Sequence, residues 1–258
     1  MTWQEISGGW VYLPPKKILG IVHFLGGAFV ATAPQISYRT FLEQIAKEGY
    51  AIIATPFLNT FDHFAIAREV LNRFETILDR LHISNSLGRS YLPIYGIGHS
   101  MGCKLHLIIG SLFDVKRAGN ILISFNNYPA KKAIPFGDKI QIDPAFEVEF
   151  SPSPEETNQI IVEKYIVPRN LLIKFQNDTI DQTLSLNPVL EERFGQTTAI
   201  KTLPGNHLTP LGQEFNWQTG NIFTPFDAVG QFLRQGISNE LAPLRKEVLL
   251  WLNPIAFL

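Results

Sequence analysis

The sequence predicts an α/β protein built on a mostly parallel, doubly wound sheet, with a cap insertion between the sixth and seventh strands. Three observations carry that expectation. Continuous apolar runs of strand length recur, as strands buried on both faces require. Segments with apolar residues at helical spacing lie between them. From Ile18 to Phe125 the two kinds alternate, which builds parallel strands joined by crossover helices.

Trp10 to Leu13 is a short strand ended by Pro14-Pro15, and Ile18 to Phe24 (ILGIVHF) is a buried one that stops at Gly26-Gly27. A helix follows with Ser37 as N-cap, a stripe of Tyr38, Phe41, Leu42, Ile45 and Ala46, and Gly49 past its end. Tyr50 to Phe57 is the next strand. The helix from about Asp62 to Leu81 keeps Phe64, Ala67, Val70, Leu71, Phe74, Ile77, Leu78 and Leu81 at helical spacing, with Glu69 and Arg73 paired on the other face. Tyr91 to Gly110 runs from a strand through a glycine turn into a helix, and Ala118 to Phe125 is one more buried strand.

The alternation breaks between Asn126 and Arg169, where prolines fall at 129, 135, 144, 152, 154 and 168. Inside this stretch Ser153-Pro154-Glu155-Glu156 is a helix start, with Ser at N-cap, Pro at N1 and Glu at N3, and the helix extends to about Ile166. Strand sequence resumes at once with Asn170 to Phe175. Residues 126–169 are therefore expected to form a cap inserted into one domain spanning 1–258, rather than a linker. A polar loop from Gln176 to Asp181 follows, then a short helix capped by Asn187 with Pro188 at N1, then a last strand, Thr197 to Leu203. Two more helices are expected near Phe226 to Arg234 and Pro243 to Leu252.

Composition narrows the function classes. A hydrophobic content of 45%, with 19 phenylalanines, supports a sizeable core. Lys and Arg number 22 against 23 Asp and Glu, with no basic cluster, which argues against phosphate neutralisation and so against nucleic acid. The single cysteine, Cys103, excludes an intrachain disulfide and a thiolate zinc site, and fits a reducing compartment. The first residues lack a basic segment followed by an apolar run, and no apolar stretch is long enough to span a bilayer. A cytoplasmic protein is expected, or a plastid-stromal one after loss of a transit peptide.

The stretch YLPIYGIGHSMGCKLHLIIG, Tyr91 to Gly110, places Gly98-His99-Ser100-Met101-Gly102 between a strand and a helix, the context a nucleophile elbow needs. A serine there has strained backbone, and its neighbours must be small. The plainer alternative is a helix N-cap or an ordinary glycine turn. A serine hydroxyl also needs a base, and the base a group to fix its tautomer. Doubly wound sheets place such groups on loops after the strands. Asp178 or Asp181 after NLLIKF and His207 after TTAIKTL meet that condition. Both types also serve ordinary turns. The other histidines, at 23, 63, 82, 99 and 106, lie on strands, on helices or in the elbow itself.

The chain resembles the α/β-hydrolase superfamily from about Ile18 onward. The match rests on His23-Phe24-Leu25-Gly26-Gly27, Gly98-His99-Ser100-Met101-Gly102, Phe175-Gln176-Asn177-Asp178 and Gly205-Asn206-His207. The order Ser, Asp, His is the order of that superfamily. Within it the chain is similar to a domain-of-unknown-function family of photosynthetic microbes and plastids. The resemblance implies an acid three residues after the strand end at Phe175, which selects Asp178 over Asp181. It also implies an oxyanion hole from the Met101 amide and a second amide after the third strand, Leu25 by position, with Gly26 as runner-up. Phe24 departs from the usual His-Gly pair of that loop, and a missing donor would cost roughly 3–4 kcal/mol of transition-state stabilisation.

The expected function is therefore a serine hydrolase of an ester or thioester, with Ser100, His207 and Asp178 as its triad. The expected partner is a small-molecule acyl substrate, apolar if Phe136, Phe146, Phe150, Ile160, Ile161 and Tyr165 of the insertion line its pocket rather than a core of their own. Phe24, together with the absence of any named activity in the similar family, motivates the rival from another class, a catalytically silent binding or assembly protein of the same fold. Acyl transfer differs only in the acceptor. No cofactor or metal is expected: Gly26-Gly27 lacks the residues of a phosphate loop, and no metal-ligand spacing occurs. Cys103 is expected to pack rather than react.

Overall fold

A computed structural model describes residues 2–130, 149–211 and 241–253. Its strands are β1 (Gln4–Ile6), β2 (Gly9–Tyr12), β3 (Gly20–Leu25), β4 (Tyr50–Ala54), β5 (Ile94–His99), β6 (Gly119–Ile123), β7 (Asn170–Phe175) and β8 (Thr198–Leu203). They lie side by side in one sheet as β1-β2-β4-β3-β5-β6-β7-β8. The first two pairings are antiparallel and the rest parallel. The helices are α1 (Pro34–Ser37), α2 (Arg39–Lys47), α3 (His63–Ile83), α4 (Met101–Leu112), α5 (Pro154–Lys164), α6 (Thr183–Phe194) and α7 (Leu241–Leu252).

Helices cover both faces, and the strands alternate between them. Val22 and Phe24 of β3 join one core with Phe41, Leu42 and Ile45 of α2 and Leu244 and Val248 of α7. Ile21 and Leu25, pointing the other way, join Phe74 and Ile77 of α3 and Leu105 and Ile108 of α4. That double burial explains the unbroken apolar runs. β1 escaped the sequence reading because Gln4 and Glu5 are exposed and leave no apolar pattern.

Local rules misplaced two helix starts. Ser37 is not an N-cap: it lies at the end of α1, and α2 follows Tyr38, whose side chain makes no capping bond. Tyr38 is wholly buried, so packing rather than capping sets this junction. Likewise α6 begins at Thr183 and Pro188 falls inside it. The Asp181 carboxylate accepts from the Thr183 amide at 2.7 Å and starts the helix more than a turn early. By contrast Ser153 caps α5 as expected, its hydroxyl accepting from the Glu156 amide at 3.1 Å while Glu156 accepts from the Ser153 amide at 2.8 Å.

The second half of the expected insertion belongs to the main layer. Ile161 of α5 and Tyr165 just beyond it pack with Cys103 and Leu107 of α4 and Leu122 of β6, so α5 is the crossover helix between β6 and β7. Phe150 stacks on His63 at 4.2 Å between ring centroids. These side chains form the protein's own core rather than a pocket wall. Phe136, Phe146 and the helix expected near Phe226 to Arg234 lie outside the described residues. Among those described, no helix is long and apolar enough to cross a membrane.

Candidate active site

Loops from the carboxyl ends of β5, β7 and β8 meet at one point. β5 ends at His99, and Ser100 takes φ 55° and ψ −119° before α4 begins at Met101. This backbone is strained for a residue with a Cβ, and a hydrogen bond from the Ser100 amide to the Ile123 carbonyl (2.9 Å) helps to hold it. Close approach forces the flanking glycines. A Cβ on Gly98 would lie 2.6 Å from the Cys103 amide nitrogen, and one on Gly102 would lie 2.1 Å from the Leu25 carbonyl oxygen. Both obstacles are backbone and cannot swing aside. Ser100 itself stays partly exposed at the tip.

The β7 and β8 loops are laced together. The Gln176 amide donates to the Leu203 carbonyl and the Asn177 amide to the Gly205 carbonyl, each at 2.9 Å. Gly205, at φ 124°, turns the chain in a way few other residues allow. His207 then presents Nδ1 at 2.8 Å from Asp178 Oδ2 and Nε2 at 3.0 Å from Ser100 Oγ. An ionised carboxylate only accepts, so Nδ1 carries the proton and Nε2 accepts from the Ser100 hydroxyl.

The Asp178 side chain is sealed from solvent. Burial alone would raise its pKa, but the His207 hydrogen bond and charge, together with the Ile180 amide donating at 3.0 Å, hold it below the usual carboxylate value. Asp181 behaves oppositely. Burial, with the neighbouring Asp178 charge adding to it, pushes its carboxyl up, and its oxygens accept from the Thr183 amide and hydroxyl. Ser100, His207 and Asp178 thus come together, while Asp181 is turned to α6.

Met101 opens α4, so its amide is one of the first-turn donors without an intrahelical acceptor. Leu25 is the last residue of β3, opposite Gly98 and wholly buried. The turn after it also lies against the elbow: a Cβ on Gly27 would lie 3.4 Å from the Ser100 Cβ. Phe24, which departs from the usual His-Gly pair, is a strand residue, as the expected strand Ile18 to Phe24 has it, and packs against Tyr38 at 4.7 Å between centroids. β3 runs one residue further than expected, so the turn is made by Gly26 and Gly27. Cys103 is buried, with Sγ 3.2 Å from the Gly98 and Ile123 carbonyls, and burial pushes its thiol well up.

Sequence reasoning missed two neighbours of the site. The Gly27 amide donates to the Tyr38 hydroxyl at 2.8 Å, Tyr38 Oη lies 2.8 Å from His99 Nδ1, and His99 Nε2 lies 2.8 Å from the His207 carbonyl. Tyr38 was legible only as one apolar position in a helical stripe, and His99 only as the second residue of the elbow.

The family described as protein of unknown function (DUF1350) matches residues 2–254. No curated protein matches the chain. Among solved structures, a dienelactone hydrolase from Anabaena variabilis is 15% identical with a TM-score of 0.54, over 91% of this chain and 96% of the other. A fluorophosphonate-binding serine hydrolase from Staphylococcus aureus is 14% identical with a TM-score of 0.53, over 88% and 89%. An acylaminoacyl peptidase from Pyrococcus horikoshii is 18% identical with a TM-score of 0.53 over 77% of this chain, which spans only 35% of the peptidase. Identities this low establish a shared fold, the α/β-hydrolase fold, and nothing more.

Proposed function

Because the chain belongs to the DUF1350 family and takes the α/β-hydrolase fold, we propose that it is a serine hydrolase cleaving an ester or thioester through an acyl-enzyme. One observation carries this reading: Ser100 Oγ, the His207 ring and the Asp178 carboxylate stand in file at 3.0 and 2.8 Å. Asp178 holds the His207 proton on Nδ1, which leaves Nε2 free to take the Ser100 proton as Oγ attacks the acyl carbonyl. The oxyanion that forms is held by the Met101 amide and a second amide from the Leu25 to Ala28 turn. His207 then protonates the leaving group, and a water activated by the same nitrogen releases the acid.

The catalytically silent alternative keeps its two motives, Phe24 beside the oxyanion turn and a family described as of unknown function. A fluorophosphonate probe tests the proposal directly. Wild-type protein should label and Ser100→Ala should not, with turnover of p-nitrophenyl esters or acyl thioesters lost in parallel. Folded wild-type protein that neither labels nor turns over any of these substrates rejects it.

A further inference from the structure

We infer that Tyr38 and His99 are positioning residues, a buried hydrogen-bonded strap that ties the turn after β3 to the backbone of His207. The donors and acceptors admit one arrangement. The His207 carbonyl only accepts, so His99 Nε2 must carry a proton. His99 is 2% exposed, and burial, with the nearby His207 adding to it, lowers its pKa to about 3, so the ring is neutral and Nδ1 has a free lone pair. Tyr38 must then donate its one proton to Nδ1, and its oxygen accepts from the Gly27 amide at 2.8 Å.

Each link fixes something the chemistry needs. His99 directly precedes Ser100, and its ring lies 5.0 Å from that of His207. The bond to the His207 carbonyl pins the backbone from which the base projects. At the other end the Gly27 amide is engaged by Tyr38, so the second oxyanion donor must come from another amide of this turn, which Tyr38 holds in place. Space around the strap is fully used: a Cβ on Gly26 would lie 2.8 Å from Tyr38 Cε2. The strap joins residues 27, 38, 99 and 207, which are remote in sequence and contact one another only in the fold.

The catalytic consequence rests on the proposed hydrolase activity, and the geometric one does not, so the test has two arms. In a Ser100→Ala background, NMR should find the downfield proton shared by His207 Nδ1 and Asp178. His99→Phe should broaden or abolish it, and His99→Gln, whose amide can donate to the His207 carbonyl and accept from Tyr38, should restore it. In the active protein, His99→Phe should lower kcat for p-nitrophenyl butyrate about 30-fold or more with KM little changed, as misplacing a base does. His99→Gln should recover most of that loss, and Tyr38→Phe should fall between them. If His99→Phe does not fold, Tyr38→Phe takes its place in both arms. An unchanged proton signal in His99→Phe, no such signal in the parent, or a His99→Gln variant no better than His99→Phe overturns the inference. A protein without turnover whose proton signal follows the expected pattern removes the hydrolase reading and keeps the strap.

Discussion

His99 and His63 are buried almost equally, at 2% and 3% exposure, and desolvation lowers the pKa of each to about 3. Yet they do different things. Both ring nitrogens of His99 are hydrogen-bonded, one to Tyr38 and one to the His207 carbonyl. Among the described residues neither nitrogen of His63 has a hydrogen-bond partner, and its ring stacks on Phe150 at 4.2 Å. Burial decides the charge of both rings, and partners decide whether a ring can hold anything in place. His63 behaves as a flat, slightly costly core side chain.

The same contrast separates the two aspartates of the β7 loop, and there the expected effect is largest. Asp178→Asn replaces an acceptor that fixes the His207 tautomer. If the proposed triad operates, kcat should fall by a factor on the order of 10⁴. Asp181→Ala should leave turnover nearly intact and instead loosen the start of α6, where the Thr183 amide and hydroxyl lose their acceptor, at about 1 kcal/mol of stability. Ester turnover and denaturant midpoints measured on both variants decide this. Equal losses of turnover would mean that Asp181, not geometry alone, supports the base.

Much of this architecture was legible because strands buried on two faces leave largely apolar runs, as β3 to β7 do, while the edge strand β8 exposes Lys201 and Thr202. The Gly98 and Gly102 spacing was legible because backbone blocks any Cβ there. His207 and Asp178 were found as loop residues after the right strands. What stayed hidden depended on contacts between distant residues or on a one-residue shift. A strand expected to end at Phe24 continues through Leu25, which leaves the turn to Gly26 and Gly27. Ser37 and Asn187 satisfied local capping rules that Tyr38 packing and the Asp181 carboxylate override. The Tyr38 hydroxyl looked like part of an apolar stripe, since its partners come from residues 27 and 99.

The histidine comparison itself can be broken by paired substitutions. His99→Leu leaves the Tyr38 hydroxyl and the His207 carbonyl without their partner, at about 1–3 kcal/mol for each group. His63→Leu strands nothing, so its stability should match the wild type or exceed it by up to about 1 kcal/mol. The pH dependence has a definite sign. A free histidine has a pKa of about 6.5, and in the fold both are near 3, so between these values the unfolded chain binds more protons. Stability is fully present above the upper value and declines as pH falls toward the lower one. His63→Leu should make that decline shallower with no loss at neutral pH. A variant that loses stability at neutral pH would show that His63 has a partner after all.

A further pH-dependent effect is expected at Lys104, one turn past the elbow on α4. It is 1% exposed, its ammonium donates to the Pro152 carbonyl at 3.1 Å, and it sits 5.5 Å above the Phe150 ring. Burial lowers its pKa to about 7, only partly opposed by Glu149, Glu155 and Glu156. Unfolded lysine titrates near 10.4, so between about 7 and that value the unfolded chain holds a proton that the folded one has released. Stability should therefore rise with pH across this window and be flat just below it. Lys104→Met removes the group and should flatten the rise, whatever it does to absolute stability through the abandoned carbonyl. Denaturant midpoints near neutral pH and near pH 9.5, taken for both proteins, give the slope. If the two slopes run parallel, the glutamates keep Lys104 charged, and at this site partners rather than burial decide the charge.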